Sequence, residues 1–487
     1  MTLKQLLEKV EYELQQGGTD IEISGIVYNS RKVTKGCVFP CIRGAVFDGH
    51  AFASEVAGKG AAAIVAEEKV DVPEGVTVVI VADTRVAMAR MAAAWFGYPA
   101  RKMKTIGITG TKGKTTTSYM VKDMLEAAGI KTGLVGTIET LIDRERIPSA
   151  NTTPESVVLQ EYLARMAEAG CQAVVMEVSS QALMQHRVEG ITFDIGVFTN
   201  ISPDHIGPAE HASFEEYMDY KSRLFQMCRM GIFNGDDIHL GRILEGHTCE
   251  VETYGLSPEN QLYAQNIRLV SRPGYLGTSF EVMGSLHFKA ETDIPGKFSV
   301  YNALCAIAIC RHFGLEKELI KEALAGVKVR GRAEMVKVSD DFTLLIDYAH
   351  NAMALESLLS ALRKYHPARL VTVFGCGGNR ARSRRYEMGE ISGRCSDFTI
   401  ITSDNPRYED PEAIMDDIEK GIQRTDGKYV RITDRKEAIR AAIRGGKPGD
   451  VIVLAGKGHE DYQEICGKKY PMDERELIAE ILAEEKH

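Results

Sequence analysis

The segment Gly110-Thr-Lys-Gly-Lys-Thr-Thr116 sits between an apolar run, Thr105–Thr109, and a stretch that reads as a helix from Thr115 to about Ala128. Glycines at such a turn let backbone N–H groups wrap phosphate oxygens. Lys114 would reach the β/γ-phosphates of a nucleotide, and the Thr115 hydroxyl would ligate Mg²⁺ at the helix N-terminus. The strict eight-residue phosphate loop carries a glycine where this chain has Ile108, so the loop is a shorter variant. A strand at Ala173–Val178 holds Glu177, in Met176-Glu-Val-Ser-Ser180. A carboxylate at a strand end beside a phosphate loop suits Mg²⁺, a hard cation that takes oxygen ligands. Thr199-Asn-Ile-Ser-Pro-Asp-His205 closes a third strand, Ile195–Thr199, and His205 reads equally as a metal ligand or a cap. Lys221 lies on an amphipathic stretch, Tyr217–Phe225, and its own surroundings suggest a solvated or snorkelling lysine.

A second group of polar loops follows further along, each after an apolar strand. These are Asp347-Tyr-Ala-His350, Gly375-Cys-Gly-Gly-Asn-Arg380, Ser403-Asp-Asn-Pro-Arg407 and Gly456-Lys-Gly-His-Glu-Asp461. Arg380, Arg382, Arg384 and Arg385 form the one dense basic cluster. It reads as a nucleic-acid patch or as an anion clamp. The lack of interleaved aromatics and the acidic balance of the chain favour the clamp.

The elements that must position these residues are α/β. Strands at Leu344–Asp347, Leu370–Phe374, Phe398–Thr402 and Val451–Leu454 alternate with helical stretches such as Leu355–Tyr365 and Ile414–Ile422. That alternation predicts mostly parallel sheets with ligands bound past the strand ends. The first hundred residues differ, with short β-rich runs at Ile21–Tyr28 and Val76–Val81 and an Ala-rich helix at Arg85–Phe96. A length of 487 residues implies several domains, about three at roughly 150 residues each. The boundaries expected are 1–100, 101–330 and 331–487. Apolar content of 44% with 26% charged residues excludes wholesale disorder. A net charge of −9 argues against a general nucleic-acid coat. No apolar run is long enough to span a bilayer, and Met1–Gln16 reads as a charged amphipathic helix rather than a secretory signal. Ten scattered cysteines suggest reduced structural thiols in a cytoplasmic protein.

Taken together, these motifs resemble the Mur ligase family, ATP-dependent amide-bond-forming enzymes of bacterial cell-wall precursor synthesis. The resemblance rests on the short phosphate loop, Asn151-Thr-Thr-Pro154, Glu177–Ser180, Lys221, Gly331-Arg-Ala-Glu334, Asp347–His350, Asp404–Arg407 and Gly456–Glu460. It implies three domains: a UDP-substrate-binding N-terminal domain, a central P-loop ATPase-like parallel sheet, and a C-terminal Rossmann-like domain that binds the amino acid. Within the family the chain is similar to members that add diaminopimelate to UDP-N-acetylmuramoyl-L-alanyl-D-glutamate in peptidoglycan biosynthesis. By that resemblance Ser30, Asn151, Thr152, Thr153, Ser179, Gln185 and Arg187 would contact the UDP substrate. Gly110, Thr111, Lys112, Gly113, Lys114, Thr115 and Thr116 would hold ATP, with Asn302, Arg332 and Asp347 around the nucleotide. Thr115, Glu177, His205 and a carbamylated Lys221 would serve Mg²⁺, and Lys114, Lys221 and His205 would be catalytic. Arg380, Asp404, Asn405, Pro406, Arg407, Gly456 and Glu460 would bind diaminopimelate. A cytoplasmic monomer without nucleic-acid or membrane partners is expected. Two segments depart from the family pattern, Ile206–His211 and Asn351-Ala-Met353. The rival readings are addition of lysine, a folylpolyglutamate-type ligase, a P-loop ATPase coupled to a protein partner, and a non-catalytic binding module.

Overall fold

The computed structural model describes residues 1–487 apart from 45, 46, 205, 208, 209, 273 and 485–487. Two compact units emerge, Met1–Gln261 with Cys305–Leu315, and Leu262–Leu304 with Glu316–His487.

The first unit begins with a four-stranded sheet of β1 (Glu13–Gln16), β2 (Val38–Pro40), β3 (Ala63–Ala66) and β4 (Thr77–Ile80), in the order β1-β4-β3-β2. The helix Thr84–Trp95 starts where Asp83 accepts from the N–H groups of Arg85 and Val86. Its Ala87, Met88 and Met91 share a core with Val38, Val65 and Val79. The N-terminus differs from the sequence expectation. Only Leu3–Leu6 is helical, and Glu13–Gln16 pairs antiparallel with β4. Amphipathic spacing over Met1–Gln16 was thus overridden by a sheet edge that satisfies the same backbone groups. Ile21–Tyr28 is not a strand either and makes only single bridges, Thr2 to Glu22 and Ile26 to Val38.

The rest of this unit is built on β5 (Lys104–Thr109), β6 (Thr132–Val135), β7 (Glu139–Ile142), β8 (Glu145–Pro148), β9 (Ala173–Glu177), β10 (Phe193–Phe198), β11 (Cys228–Asn234) and β12 (Glu250–Gly255). They run β12-β11-β10-β5-β9-β6-β7-β8, parallel from β12 to β6, with β7 and β8 an antiparallel margin. Near-continuous apolar strands such as β5 and β9 are buried, as a parallel sheet covered on both faces requires. Helix Ser156–Glu168 supplies Leu159, Leu163 and Met166 to the core around Val174 and Met176. The C-terminal ends of β5, β9 and β10 therefore deliver Gly110, Glu177 and Thr199 side by side.

The second unit contains an antiparallel meander of β13 (Leu262–Arg272), β14 (Tyr275–Gly284) and β15 (Phe288–Thr292), which the sequence reading did not anticipate. Its main sheet has six strands, β16 (Glu334–Val336), β17 (Thr343–Asp347), β18 (Leu370–Phe374), β19 (Phe398–Ile401), β20 (Tyr429–Arg431) and β21 (Val451–Ala455), ordered β16-β17-β21-β18-β19-β20. All neighbours but β16 and β17 pair in parallel. A hairpin, β22 (Tyr462–Ile465) with β23 (Lys468–Pro471), follows. The expected helices are present at Ala352–Arg363 and Pro411–Ile422, the latter capped by Asp410 with Pro at its first turn. All ten cysteines are free thiols, and Cys466 at the hairpin tip is the exposed one. No helix among the described residues is long and apolar enough to cross a membrane.

Candidate active site

Gly110 has φ +145°, and a Cβ there would stand 2.0 Å from Thr199 Oγ1, so only glycine can make this turn. Gly113, at φ +88°, starts the helix Lys114–Ala127 without any side-chain cap. The loop is braced from the end of β10. Thr199 Oγ1 donates to the Lys112 carbonyl at 2.7 Å, and Asn200 Nδ2 donates to the same oxygen at 2.9 Å. Asn200 Oδ1 accepts from Lys112 N–H at 3.0 Å. Lys114 Nζ donates to the carbonyls of Gly110 at 2.7 Å and Thr111 at 3.2 Å, which keeps the ammonium over the loop.

Thr115 Oγ1 donates to Glu177 Oε2 at 3.0 Å. The Glu177 carboxylate is fully buried and also accepts from Thr137 N–H and Oγ1, each at 2.9 Å. Gly136 makes room for it, because a Cβ there would lie 2.5 Å from Glu177 Oε1. A hydroxyl and a carboxylate at a helix N-terminus are a donor set that fits Mg²⁺. Lys221 is buried rather than snorkelling, on helix Phe214–Ser222, and donates to the Gly110 carbonyl at 2.9 Å. Burial, with the Lys114 ammonium nearby, holds its amine well below the usual lysine range against the opposing pull of Asp204. The Tyr217 ring lies under it at 4.5 Å, and Tyr217 OH meets Thr111 Oγ1 at 3.1 Å. His205 lies outside the described residues. The departure after it ends at His211, which is fully buried, bonds Ser180 Oγ through Nε2 at 2.8 Å, and packs on Tyr217.

Some of the residues expected around the UDP substrate gather at the end of β9, around the Glu177 backbone. Thr153 Oγ1 donates to the Glu177 carbonyl at 2.8 Å and accepts from Ser179 N–H at 3.1 Å. Arg187 donates to the Thr153 carbonyl at 2.9 Å and to Gln185 Oε1 at 2.8 Å, and pairs with Glu155 at 2.7 Å. Thr152 Oγ1 lies 3.1 Å from Thr137 Oγ1. Asn151 is exposed, and Ser30 opens a short 3₁₀ turn whose carbonyl accepts from Lys59.

Within the second unit, Asn302 lies on helix Lys297–Arg311. Arg332 stacks over the Tyr348 ring at 4.9 Å. Asp347 accepts from the N–H groups of Ala333 at 2.7 Å and Ala349 at 2.8 Å. Burial raises its carboxyl above the ordinary range, with Arg332 opposing. The loops after β19 and β21 meet. Asn405 Nδ2 donates to Glu460 Oε2 at 2.9 Å, and Lys457 Nζ bridges Asn405 Oδ1 at 3.0 Å and Glu460 Oε2 at 2.7 Å. Gly456, at φ +110°, lies against Asp404, where a Cβ would be 3.0 Å from Oδ2. Arg407 bonds neither Glu409 nor Asp410, and its Nε donates to Glu464 at 3.0 Å. Pro406 follows Asn405 and accepts from Glu409 N–H at 3.0 Å.

Two of the four arginines expected to form an anion clamp are instead engaged within the fold. Arg382 makes two bonds to Asp417, at 2.9 and 2.8 Å, and buried Arg385 binds both Glu409 oxygens at 2.8 Å. These two cations lock helix Ser383–Cys395 to its neighbours. Arg380 is exposed and bonds nothing among the described residues.

Comparison with known proteins bears on this arrangement. Family models described as "Mur ligase family, catalytic domain", "Mur ligase middle domain" and "Mur ligase, glutamate ligase domain" match residues 22–96, 108–310 and 331–458. A protein of Caldanaerobacter subterraneus subsp. tengcongensis named UDP-N-acetylmuramoyl-L-alanyl-D-glutamate–2,6-diaminopimelate ligase is 44% identical, over 99% of both chains. The chain belongs to the Mur ligase family. A Clostridium acetobutylicum relative, given the same name with the suffix 2, is 43% identical over 99% of this chain and 100% of its own. A solved structure of a UDP-N-acetylmuramoyl-L-alanyl-D-glutamate–2,6-diaminopimelate ligase superposes with TM-score 0.74 at 28% identity, covering 100% of this chain and 99% of that one. For this Mur ligase, sequence reasoning missed Thr137, His211, Lys457 and Glu464. Of these, Lys457 carried a signal, since it stands inside the Gly456–Glu460 motif.

Proposed function

We propose that this chain is an ATP-dependent ligase that joins 2,6-diaminopimelate to the D-glutamate γ-carboxylate of UDP-N-acetylmuramoyl-L-alanyl-D-glutamate. The observation that carries this reading is the Asp404–Arg407 loop, where a guanidinium stands beside buried Lys457 and Asn405, both bonded to half-buried Glu460. Diaminopimelate differs from lysine by a second carboxylate next to its distal ammonium. Arginine binds such a carboxylate through two parallel hydrogen bonds, and Glu460 offers the ammonium an acceptor. Names borne by full-length relatives support the same reading.

In this reading, the substrate carboxylate attacks the γ-phosphorus of ATP, giving an acyl phosphate and ADP. The amine of diaminopimelate then attacks the acyl carbon, and the tetrahedral intermediate expels phosphate as the amide forms. The chain's part is to position and neutralise charge. Gly110–Thr116 cradle the phosphates, and Lys114 offsets charge on the transferred group. Thr115, Glu177, His205 and a carbamate on Lys221 would hold Mg²⁺, which supplies further neutralisation of phosphate charge when bound. A carbamate forms only from an unprotonated amine, the state that burial favours at Lys221. Asn302, Arg332 and Asp347 are assigned to the nucleotide. Ser30, Asn151, Thr152, Thr153, Ser179, Gln185 and Arg187 are assigned to the UDP substrate, and Arg380, Asp404, Asn405, Pro406, Arg407, Gly456 and Glu460 to diaminopimelate. The reading divides the work among residues 1–100, 101–330 and 331–487 in a cytoplasmic monomer.

The test is incubation with the UDP-muramoyl-dipeptide, ATP and a panel of amino acids, read by mass. A product carrying diaminopimelate, with one ADP released per bond, is expected. Lysine added equally fast overturns the acceptor assignment, and ATP turnover without either substrate overturns the ligase.

A further inference from the structure

We infer that Glu464 is a positioning residue for acceptor recognition, holding the Arg407 guanidinium so that its outer edge faces the distal carboxylate of the amino acid. The inference rests on the acceptor reading of the Asp404–Arg407 loop and deepens it.

Arg407 has φ +52°, a backbone conformation that a non-glycine residue keeps only when its surroundings enforce it. The β22–β23 hairpin enforces it. Arg407 N–H donates to the Glu464 carbonyl at 3.0 Å, and Cys466 N–H donates to the Arg407 carbonyl at 2.7 Å. The side chain is clamped as well. Nε donates to Glu464 Oε2 at 3.0 Å and Nη1 to the Gly378 carbonyl at 2.8 Å. Gly377 leaves the space this needs, since a Cβ there would be 2.8 Å from Nη1. Nη2 has no partner among the described residues, and Nη1 keeps a second N–H. The edge left over is the two-pronged one that a carboxylate matches.

Glu464 also acts on the neighbouring residue. Its N–H donates to Asn405 Oδ1 at 2.9 Å, and Lys457 Nζ donates to the same oxygen at 3.0 Å. With both donors on Oδ1, the Asn405 amide can only turn Nδ2 toward Glu460. One residue of the hairpin thus orients both the cationic and the amide arm of the loop, the first through its carboxylate and the second through its backbone.

The opposite role is physically available. A carboxylate 3.0 Å from Arg407 could compete with the acceptor's own carboxylate, and the two roles predict opposite signs. The experiment measures kcat and KM for diaminopimelate at saturating ATP and UDP substrate in Glu464→Ala, Glu464→Gln and Arg407→Ala. Glu464→Ala should raise the diaminopimelate KM roughly tenfold, with kcat changed less than about threefold and the ATP KM unaltered. Glu464→Gln should recover most of that loss, because its amide oxygen still accepts from Nε. The preference for diaminopimelate over lysine should fall with the KM effect. An unchanged KM in Glu464→Ala overturns the inference, and a lowered one shows competition instead. If Arg407→Ala raises KM while Glu464→Ala is silent, only the role of Glu464 fails. If Arg407→Ala is itself silent, the acceptor reading fails.

Discussion

Glu177→Gln separates the charge of the site from its architecture. Thr137 N–H is a fixed donor 2.9 Å from Oε1, so the glutamine oxygen must face it. The new NH₂ then stands where Oε2 accepts from Thr115 and Thr137 hydroxyls, at 3.0 and 2.9 Å. Both hydroxyls can rotate to accept, and Thr137 can pass its proton toward Thr152, 3.1 Å away. The hydrogen-bond count survives, so the stability cost should be about 1 kcal/mol or less, a few degrees in Tm. Activity should not survive. Losing an anionic ligand at the phosphate site removes about 3–4 kcal/mol of transition-state stabilisation, roughly a 10²–10³-fold lower kcat. Glu177→Ala, by contrast, leaves two hydroxyls and an N–H without their acceptor in a buried site and should cost several kcal/mol of stability, at about 1–3 kcal/mol per group. Product formation read by mass, beside thermal unfolding of both variants, makes the comparison. Glutamine retaining more than about a third of the rate would refute the metal-site reasoning. Glutamine unfolding as early as alanine would refute the hydrogen-bond reasoning.

Lys114→Ala should fold normally and ligate about 10²–10³-fold more slowly, since its half-buried side chain lies over the loop, where its ammonium bonds the Gly110 and Thr111 carbonyls, rather than in the core; near-normal turnover excludes it from the chemistry. Lys221 titrates well below its unfolded value of 10.5, so the unfolded chain binds the extra proton between those pH values and stability rises with pH across that window. Lys221→Met should therefore raise Tm at neutral pH in carbonate-free buffer by an increment that shrinks toward pH 10.5, while ligation is lost; an increment that is constant with pH contradicts the sign. Arg407→Ala should weaken diaminopimelate recognition by about 1.5–3 kcal/mol, roughly 10–150-fold in KM, with the ATP KM unchanged.

The phosphate loop and Glu177 were legible because each lies at the end of an apolar strand, and strand ends of parallel sheets face one crevice. The same logic singled out Asp404–Arg407 and Gly456–Glu460, two loops that the fold brings into contact. What stayed hidden are partners set by distance in the chain. Arg382 and Arg385 look like a clamp until Asp417 arrives on the face of another helix. Glu464 is an ordinary strand acid until the hairpin folds back on Arg407. Lys221 read as solvated because helical periodicity reports one helix face and not what covers it. The N-terminal segment failed for a related reason, as β4 offered Glu13–Gln16 a pairing that local pattern cannot register.

The distribution of thiols has a use in spectroscopy. Burial pushes Cys41, Cys305 and Cys376 up to about 12, which leaves their sulfurs protonated and unreactive in neutral buffer. Cys466 alone is exposed, and its N–H is bonded to the Arg407 carbonyl. A thiol-directed fluorophore would therefore attach first at the hairpin tip of the native chain, ahead of half-buried Cys395, with no engineered cysteine. Its emission would report, in real time, when the amino acid reaches the loop.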